Sequence, residues 1–471
     1  MRAYAAEEYP HPPSPSGWVP PSPAVRERGD SHLTPGAQVA AAIEILAAID
    51  TGERPGDDVA ADYFRRRRYI GAKDRAHIAG HVYAVLRHRA SLDWWIRRHP
   101  VDVGPRSRVL AALVLIENWR PEAVAAGCDG DRFRPAPLSE AEERLVRGLA
   151  RRTLHHPEMP GATANDLPEW LEPYLERVFG NGLKGEMAAL NAAAPMDLRV
   201  NLLKTDRQAA RRALAAEGVA AEPTPWSPLG LRLSQRVPLG GLAAFKEGLV
   251  EVQDEGSQIA ALLADARPGM RVVDFCAGAG GKTLALAAGM ANRGKLVACD
   301  VSARRLERAV RRLRRAGVNN AERRALTSER DKWVKRHAAG FDRVFVDAPC
   351  LGTGTWRRNP DAKWRATPHD LAELVLRQQQ ILRSAARLVR PGGRLVYATC
   401  SLLHEEDEAQ AEAFLAAEPE FSAVPAARAW GETIGGPSPR GERYLRLTPA
   451  RHGTDGFFVA IFERQPCPTV S

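Results

Sequence analysis

Cysteine is scarce in this chain: six thiols among 471 residues, none in a Cys-x-x-Cys spacing, do not make a disulfide scaffold. His77 and His81 form a His-x-x-x-His spacing with no cysteine near them in sequence, so no structural zinc site is expected. Thiols left free point to a reducing compartment, and a cytoplasmic location is expected. Long apolar runs are missing too. None reaches the length of a bilayer span, and the N-terminus lacks the apolar core of a signal peptide, so no membrane association is expected. No internal repeat is found. What is present in excess is positive charge. The formal balance of +10 favours a polyanionic partner, nucleic acid before membrane.

The length predicts two to four domains. Residues 1–34 are rich in Pro, Ser and charge, cannot bury a core, and are expected to be disordered. From Pro35 the period is helical: Val39, Ile43, Leu46 and Ile49 recur at helical spacing behind a Thr34-Pro35 start. Further helices are expected over 75–87, 91–98, 107–119 and 139–151, so 35–160 reads as an all-α domain. Residues 161–260 mix short helices with strands at 198–201, 231–233 and 248–252, a small α+β module. After Pro268-Gly269, strands are expected over 271–275, 295–299, 323–326, 342–346 and 394–398, with helices between them; 444–447 and 456–462 add the last strands. That alternation makes 261–465 a doubly wound α/β domain with a parallel sheet.

Chemistry-bearing residues collect where these strands end. Val344-Phe345-Val346 is apolar and stops at Asp347-Ala348-Pro349-Cys350, because Pro349 has no N–H for the ladder. Asp347 and Cys350 then lie at the carboxyl edge of the sheet, where open α/β folds bind ligands. A carboxylate beside a thiol suits chemistry on a heteroaromatic ring; taken alone, the pair also fits a capped strand end with a passive thiol. Cys276-Ala277-Gly278-Ala279-Gly280-Gly281-Lys282 joins the first strand to a helix. Its glycines admit a ligand close to the backbone, and helix N-terminal N–H groups favour an anion. The loop matches neither the P-loop nor the dinucleotide pattern, so a carboxylate, such as the amino-acid end of S-adenosylmethionine, is preferred to a phosphate. Asp300, ending the second strand, can accept both ribose hydroxyls. Cys400, in Thr399-Cys400-Ser401, is expected between the fifth strand and a helix whose first turn holds Glu405, Glu406, Asp407 and Glu408. That position enriches a thiolate, although a buried inert thiol also fits.

Together, Asp274 to Thr283, Asp347 to Cys350, Thr399-Cys400-Ser401, Arg357 to Trp364 and His452 to Phe458 resemble the RsmB/NOP (Sun) family of RNA cytosine-5 methyltransferases. The helical region resembles the NusB-like RNA-binding domain, and the combination is similar to the bacterial small-subunit ribosomal RNA enzyme of the family. The resemblance implies a multidomain protein: an all-α NusB-like bundle, a small α+β module and a Rossmann-like class I methyltransferase domain. It implies S-adenosylmethionine as cofactor and RNA, ribosomal RNA first, as partner; a monomer is expected. Cys400 would be the nucleophile, Cys350 would assist release of the methylated base, and Asp347 would bond the cytosine ring edge. Cys276, Ala277, Gly278, Ala279, Gly280, Gly281 and Lys282 would hold the methionine end, and Asp300 the ribose. Two departures stand out. Ala279 occupies a place where the family often has proline, and Ser328 lies about where an aspartate meets the adenine, with Asp331 a second candidate. Arg357, Arg358, Lys363, Trp364 and Arg365 are expected to hold phosphate and a splayed base. The arginine-rich helix carrying Arg304, Arg305, Arg308, Arg311, Arg312, Arg314 and Arg315 reads as a solvated face. Two rivals remain. A DNA cytosine methyltransferase attacks with the Cys of Pro-Cys and has no need of Thr399-Cys400. A non-catalytic RNA-binding assembly factor has no need of the intact thiols.

Overall fold

A computed structural model describes residues 33–52, 54–439 and 443–466; the Pro-rich stretch up to residue 32, expected to be disordered, lies outside them. The described residues fold as two compact units. One comprises residues 33–193 and 356–366, the other residues 194–355 and 367–466.

The first unit is helical. Pro35–Asp50 starts where Thr34 Oγ1 accepts the Ala37 N–H at 3.3 Å, with Pro35 in the first turn, where no N–H partner is needed. Its Val39, Ala42, Ile45, Leu46 and Ile49 enter one core with residues of Ala72–Arg87, Pro105–Leu115 and Glu140–Leu149. Ser139 and Glu142 form a reciprocal capping box that opens the last of these. The helix Gly56–Arg66 was not expected, because its core contribution is limited to Val59, Ala60 and Phe64 among charged neighbours. The short helices Gly161–Ala164, Glu172–Phe179 and Leu183–Asn191 belong to this unit.

Residues 356–366 complete it. Asp361 Oδ2 accepts the Gly56 N–H at 2.9 Å, and Trp364 Nε1 donates to Leu86 O at 2.6 Å. Lys363 is fully buried, and its ammonium donates to Arg87 O at 3.0 Å, Asp166 O at 2.7 Å and Asn191 Oδ1 at 2.7 Å.

The second unit carries two sheets. β1 (Met196–Val200), β2 (Ala221–Pro223), β3 (Gly230–Leu233) and β4 (Val250–Val252) form an antiparallel sheet in the order β2-β3-β1-β4. The larger sheet holds β5 (Arg271–Asp274), β6 (Lys295–Asp300), β7 (Ala321–Ala325), β8 (Phe341–Asp347), β9 (Val389–Thr399), β10 (Phe421–Val424), β11 (Leu445–Leu447) and β12 (Phe457–Arg464). Its order is β10-β12-β9-β8-β5-β6-β7, with β11 on β12. Strands β5 to β9 are parallel and β12 is antiparallel to β9, giving a mixed sheet with a Rossmann-like core. Both faces are covered, which is why the central strands read as unbroken apolar runs. Val344 and Val346 enter one core with Leu382 and Ala385, while Phe345 enters the opposite one with Ile259 and Val396.

Chain order reverses at β5: β6 and β7 lie on one side, β8 and β9 on the other. That reversal opens a crevice at the carboxyl ends of β5 and β8, the ligand position of doubly wound sheets. Among the described residues no helix is long and apolar enough to cross a membrane.

Candidate active site

Three carboxylates and two thiols meet along this edge. β8 and β9 are in parallel register with Asp347 opposite Ala398, and the Ala348 N–H donates to Ala398 O at 2.8 Å. The two chains therefore leave the sheet side by side. Cys350 Sγ and Cys400 Sγ are 3.5 Å apart, and both residues are buried. The neighbouring Cys400 thiol and burial push the Cys350 thiol well above its ordinary range. Lys282 Nζ lies 2.5 Å from Asp347 Oδ2, tying the glycine loop to the end of β8.

The loop itself needs its glycines. Gly278 and Gly280 have φ of +54° and +80°, in the left-handed region, and a Cβ on Gly280 would stand 2.9 Å from Ala309 Cβ. Asp300 Oδ2 accepts the Gly278 N–H at 2.8 Å and its Oδ1 accepts the Ser302 N–H at 2.7 Å. A carboxylate has further lone pairs, so hydroxyl donors can still be met there. The helix Gly281–Gly289 has no side-chain cap, which leaves its first N–H groups for an anion. Uncapped N–H groups and a strand-end carboxylate fit the carboxylate and ribose of S-adenosylmethionine.

Asp274, at the end of β5, accepts from Thr283 Oγ1 at 2.6 Å, while its other oxygen is buried without a hydrogen-bond partner. Burial pushes its carboxyl up to about 7. Burial and the carboxylates of Asp300, Asp274 and Asp347 push the Cys276 thiol well above its usual range. Ser328, half-buried beyond β7, accepts the Arg330 N–H at 3.1 Å. Asp331 is committed to its own turn. It accepts from Thr327 N and Oγ1, both at 2.9 Å, and caps Lys332–Arg336 through the Trp333 N–H at 2.8 Å. Those bonds hold it down to about 2.

Three sequence expectations need correction. The helix after β9 is Glu408–Ala417, so Glu405, Glu406 and Asp407 precede it and its N-terminus is not at Cys400. Much of the basic run expected on RNA is also committed elsewhere. Arg357 is buried, Lys363 has all three donors taken, the Trp364 N–H is bonded to Leu86 O, and Arg365 pairs with Asp361 at 3.0 Å. The arginine-rich helix is a solvated face only in part: Arg304, Arg308, Arg311 and Arg314 are exposed, whereas Arg305, Arg312 and Arg315 are half-buried and the last two pair with Glu251.

Sequence reasoning missed the scaffold behind the thiols. Glu406 is fully buried and accepts the Leu351 N–H and Gln378 Nε2, both at 3.0 Å. Gln378 Nε2 also donates to Pro349 O at 2.8 Å, so the pair grips the backbone on either side of Cys350. Asp407 accepts from Thr399 Oγ1 at 2.5 Å and faces Arg446 Nη1 at 3.0 Å. Gly354 N–H donates to Cys400 O at 2.9 Å, and Gly456 N–H donates to Gly354 O at 2.8 Å. The available signal was the apolar pair Leu402-Leu403 ahead of the acidic run, both fully buried, which draws that run inward.

The chain is similar to known methyltransferases over most of its length. Residues 261–463 match the family model for the 16S rRNA methyltransferase RsmB/F, and residues 167–240 match the ferredoxin-like domain of RsmF/B-like methyltransferases. A probable ribosomal RNA small subunit methyltransferase B of Synechocystis sp. is 31% identical over 431 residues, covering 86% of this chain and 95% of that one. A ribosomal RNA small subunit methyltransferase B of Pasteurella multocida is 35% identical over 370 residues, covering 75% and 80%. The crystal structure of PH0851 superposes with a TM-score of 0.73 at 26% identity, covering 92% of this chain and 99% of that chain. The chain thus belongs to the ribosomal RNA small subunit methyltransferase B family, enzymes that take their methyl group from S-adenosylmethionine.

Proposed function

We propose that this chain transfers a methyl group to carbon 5 of a cytosine in small-subunit ribosomal RNA, with Cys400 bonded covalently to the ring during the reaction. The observation that carries this reading is the 3.5 Å approach of Cys350 and Cys400 at the ends of neighbouring strands, one of which also carries Asp347.

Carbon 5 of cytosine is a poor nucleophile. Cys400 Sγ, as thiolate, forms a bond to carbon 6, and the displaced electron pair makes carbon 5 electron-rich. Asp347 hydrogen-bonds the ring edge and favours the protonated adduct, while Lys282 at 2.5 Å orients its carboxylate. Cys276 to Lys282, with Asp300 at the ribose and Ser328 toward the adenine, would hold S-adenosylmethionine, whose sulfonium would supply the methyl group, the sulfur–methyl bond breaking with its electron pair left on a neutral thioether. Once carbon 5 is methylated, its proton leaves to a base. That electron pair re-forms the ring double bond, and the bond from carbon 6 to Cys400 breaks with sulfur leaving as thiolate. Cys350, within reach of that sulfur, assists the release. The base must leave its stack to reach two buried thiols. The helical unit is read as a NusB-like bundle that binds the RNA.

The experiment is a denaturing gel of each variant with substrate RNA. Cys350→Ala should accumulate a covalent protein–RNA species, and Cys400→Ala should form none. A Cys400→Ala chain that still forms the species overturns the assignment. An unchanged 5-methylcytosine map, by bisulfite sequencing of RNA from cells lacking the gene, overturns the reaction itself.

A further inference from the structure

The small sheet reaches the glycine loop through charged side chains that the mechanism does not use. Arg199 of β1 is buried, and its Nη1 donates to Gly281 O at 2.9 Å and to Gln253 Oε1. Arg312, on the helix Ala303–Ala316, donates to Ala279 O at 2.9 Å. Glu251 of β4 lies 3.5 Å from the Arg312 guanidinium and 2.5 Å from that of Arg315. Gln253 is itself held, its Nε2 donating to Ser257 Oγ at 3.0 Å. Glu251 and Gln253 are therefore tied, through Arg312 and Arg199, to the carbonyls of Ala279 and Gly281.

Those carbonyls matter because C=O and N–H point in opposite directions across a trans peptide. An arginine that fixes the Gly281 carbonyl also fixes the Lys282 N–H, one of the uncapped donors at the helix start. Ala279 lacks the fixed φ that proline would bring to this turn. Arg312 restrains the carbonyl of that same residue from outside.

We infer that Arg199, Arg312 and Glu251 are positioning residues for the methyl donor: they hold the carbonyls of Ala279 and Gly281 so that the loop is shaped before S-adenosylmethionine binds. This rests on the reading of Cys276 to Lys282 as the cofactor loop. It gives the small sheet a task in cofactor binding, independent of any contact it makes with RNA. Preorganisation of this kind acts on affinity by sparing the ordering cost at binding.

The test is S-adenosylmethionine binding to the full chain by titration calorimetry, with steady-state kinetics on small-subunit RNA. Arg199→Met, Arg312→Met and Glu251→Gln should each weaken binding, the arginine variants by about tenfold or more, roughly the loss of one charge-assisted hydrogen bond. KM for the cofactor should rise in step, with KM for RNA and kcat at saturating cofactor nearly unchanged. Arg311→Met, on the exposed face of the same helix, should bind like the wild type. Arg312→Lys should recover part of the loss, and Ala279→Pro should restore affinity in the Arg312→Met background, which a purely structural role would not produce. Wild-type affinity in Arg199→Met and Arg312→Met overturns the inference, and so does a loss that falls on KM for RNA instead. If buried Arg199→Met does not fold, the half-buried Arg312 decides alone. A wild-type chain that fails to bind the cofactor would sink the loop reading itself, a result separate from these.

Discussion

Gly354→Ala is the sharpest single perturbation of the thiol site that leaves both thiols in place. A Cβ on Gly354 would stand 2.6 Å from Gly456 Cα and closer still to the Gly456 carbonyl carbon's oxygen, backbone atoms that cannot swing aside. Restoring ordinary contact moves one backbone away from the other by about 1 Å, a displacement that typically costs on the order of 10²-fold in rate when it reaches reacting groups. It reaches them here, because Gly354 N–H holds Cys400 O and Gly354 O holds Gly456 N–H. Overpacking costs about 1–3 kcal/mol and two weakened hydrogen bonds cost about 1 kcal/mol each, so the variant should lose roughly 3–5 kcal/mol. For a unit of this size that is a fall in Tm of roughly 10 °C. Gly240→Ala is the matched control: no atom lies within 4 Å of its Cβ and its φ is ordinary, so it should melt like the wild type. The assay is thermal unfolding by circular dichroism beside tritiated methyl transfer to small-subunit RNA. If Gly354→Ala melts with Gly240→Ala and keeps full activity, the two glycines do not clamp the Cys400 turn and the reasoning fails.

Two further outcomes depend on buried ionisable groups. Burial pushes Glu406 up to about 7 from an ordinary 4.5. A raised carboxyl is protonated in both states below 4.5, and its contribution is lost as pH rises through 7. Glu406→Gln should therefore gain up to about 3 kcal/mol at pH 8 and nothing at pH 4, as read by urea unfolding at the two pH values. Burial pulls Lys363 down to about 7 from an ordinary 10.5, so between those values the unfolded chain holds a proton that the folded chain lacks. Wild-type stability should rise with pH across that window by up to about 1.4 kcal/mol per pH unit, and Lys363→Met should remove that slope. A variant whose slope matches the wild type would show that the ammonium keeps its charge despite burial.

The central strands were legible because both faces of the sheet are covered, which writes β8 and β9 into the sequence as apolar runs. The strand ends were legible for the same reason, since Asp347, Cys350 and Cys400 are polar or reactive interruptions of those runs. β10 was not legible: Phe421-Ser422-Ala423-Val424 is a four-residue strand at the sheet edge, too short to establish a period. β9 also begins earlier than expected, passing through Pro391-Gly392-Gly393, which reads locally as a breaker; its pairing with β8 is irregular there. The acidic run 405–408 reads as the first turn of a helix, yet tertiary burial of Glu406 and Asp407 overrides local pattern and the helix starts at Glu408. Lys363 and Arg357 misled for a related reason. Basic residues beside a reactive loop suggest phosphate, and nothing local reveals that carbonyls nearly two hundred residues or more away occupy the donors, such as Asp166 O and Arg87 O on Lys363.

The membership of residues 356–366 has a consequence for how this chain can be divided. A gene fragment encoding residues 33–193 would lack the peptide that fills its interior, and a fragment starting at 194 would carry a fully buried tryptophan, Trp356, and a desolvated lysine with nowhere to put them. Either part expressed alone would leave Trp356 or Lys363 facing water in place of the interior that holds them here. The stretch makes the chain hard to cut: neither unit can be separated by a single break in the sequence without stranding these eleven residues.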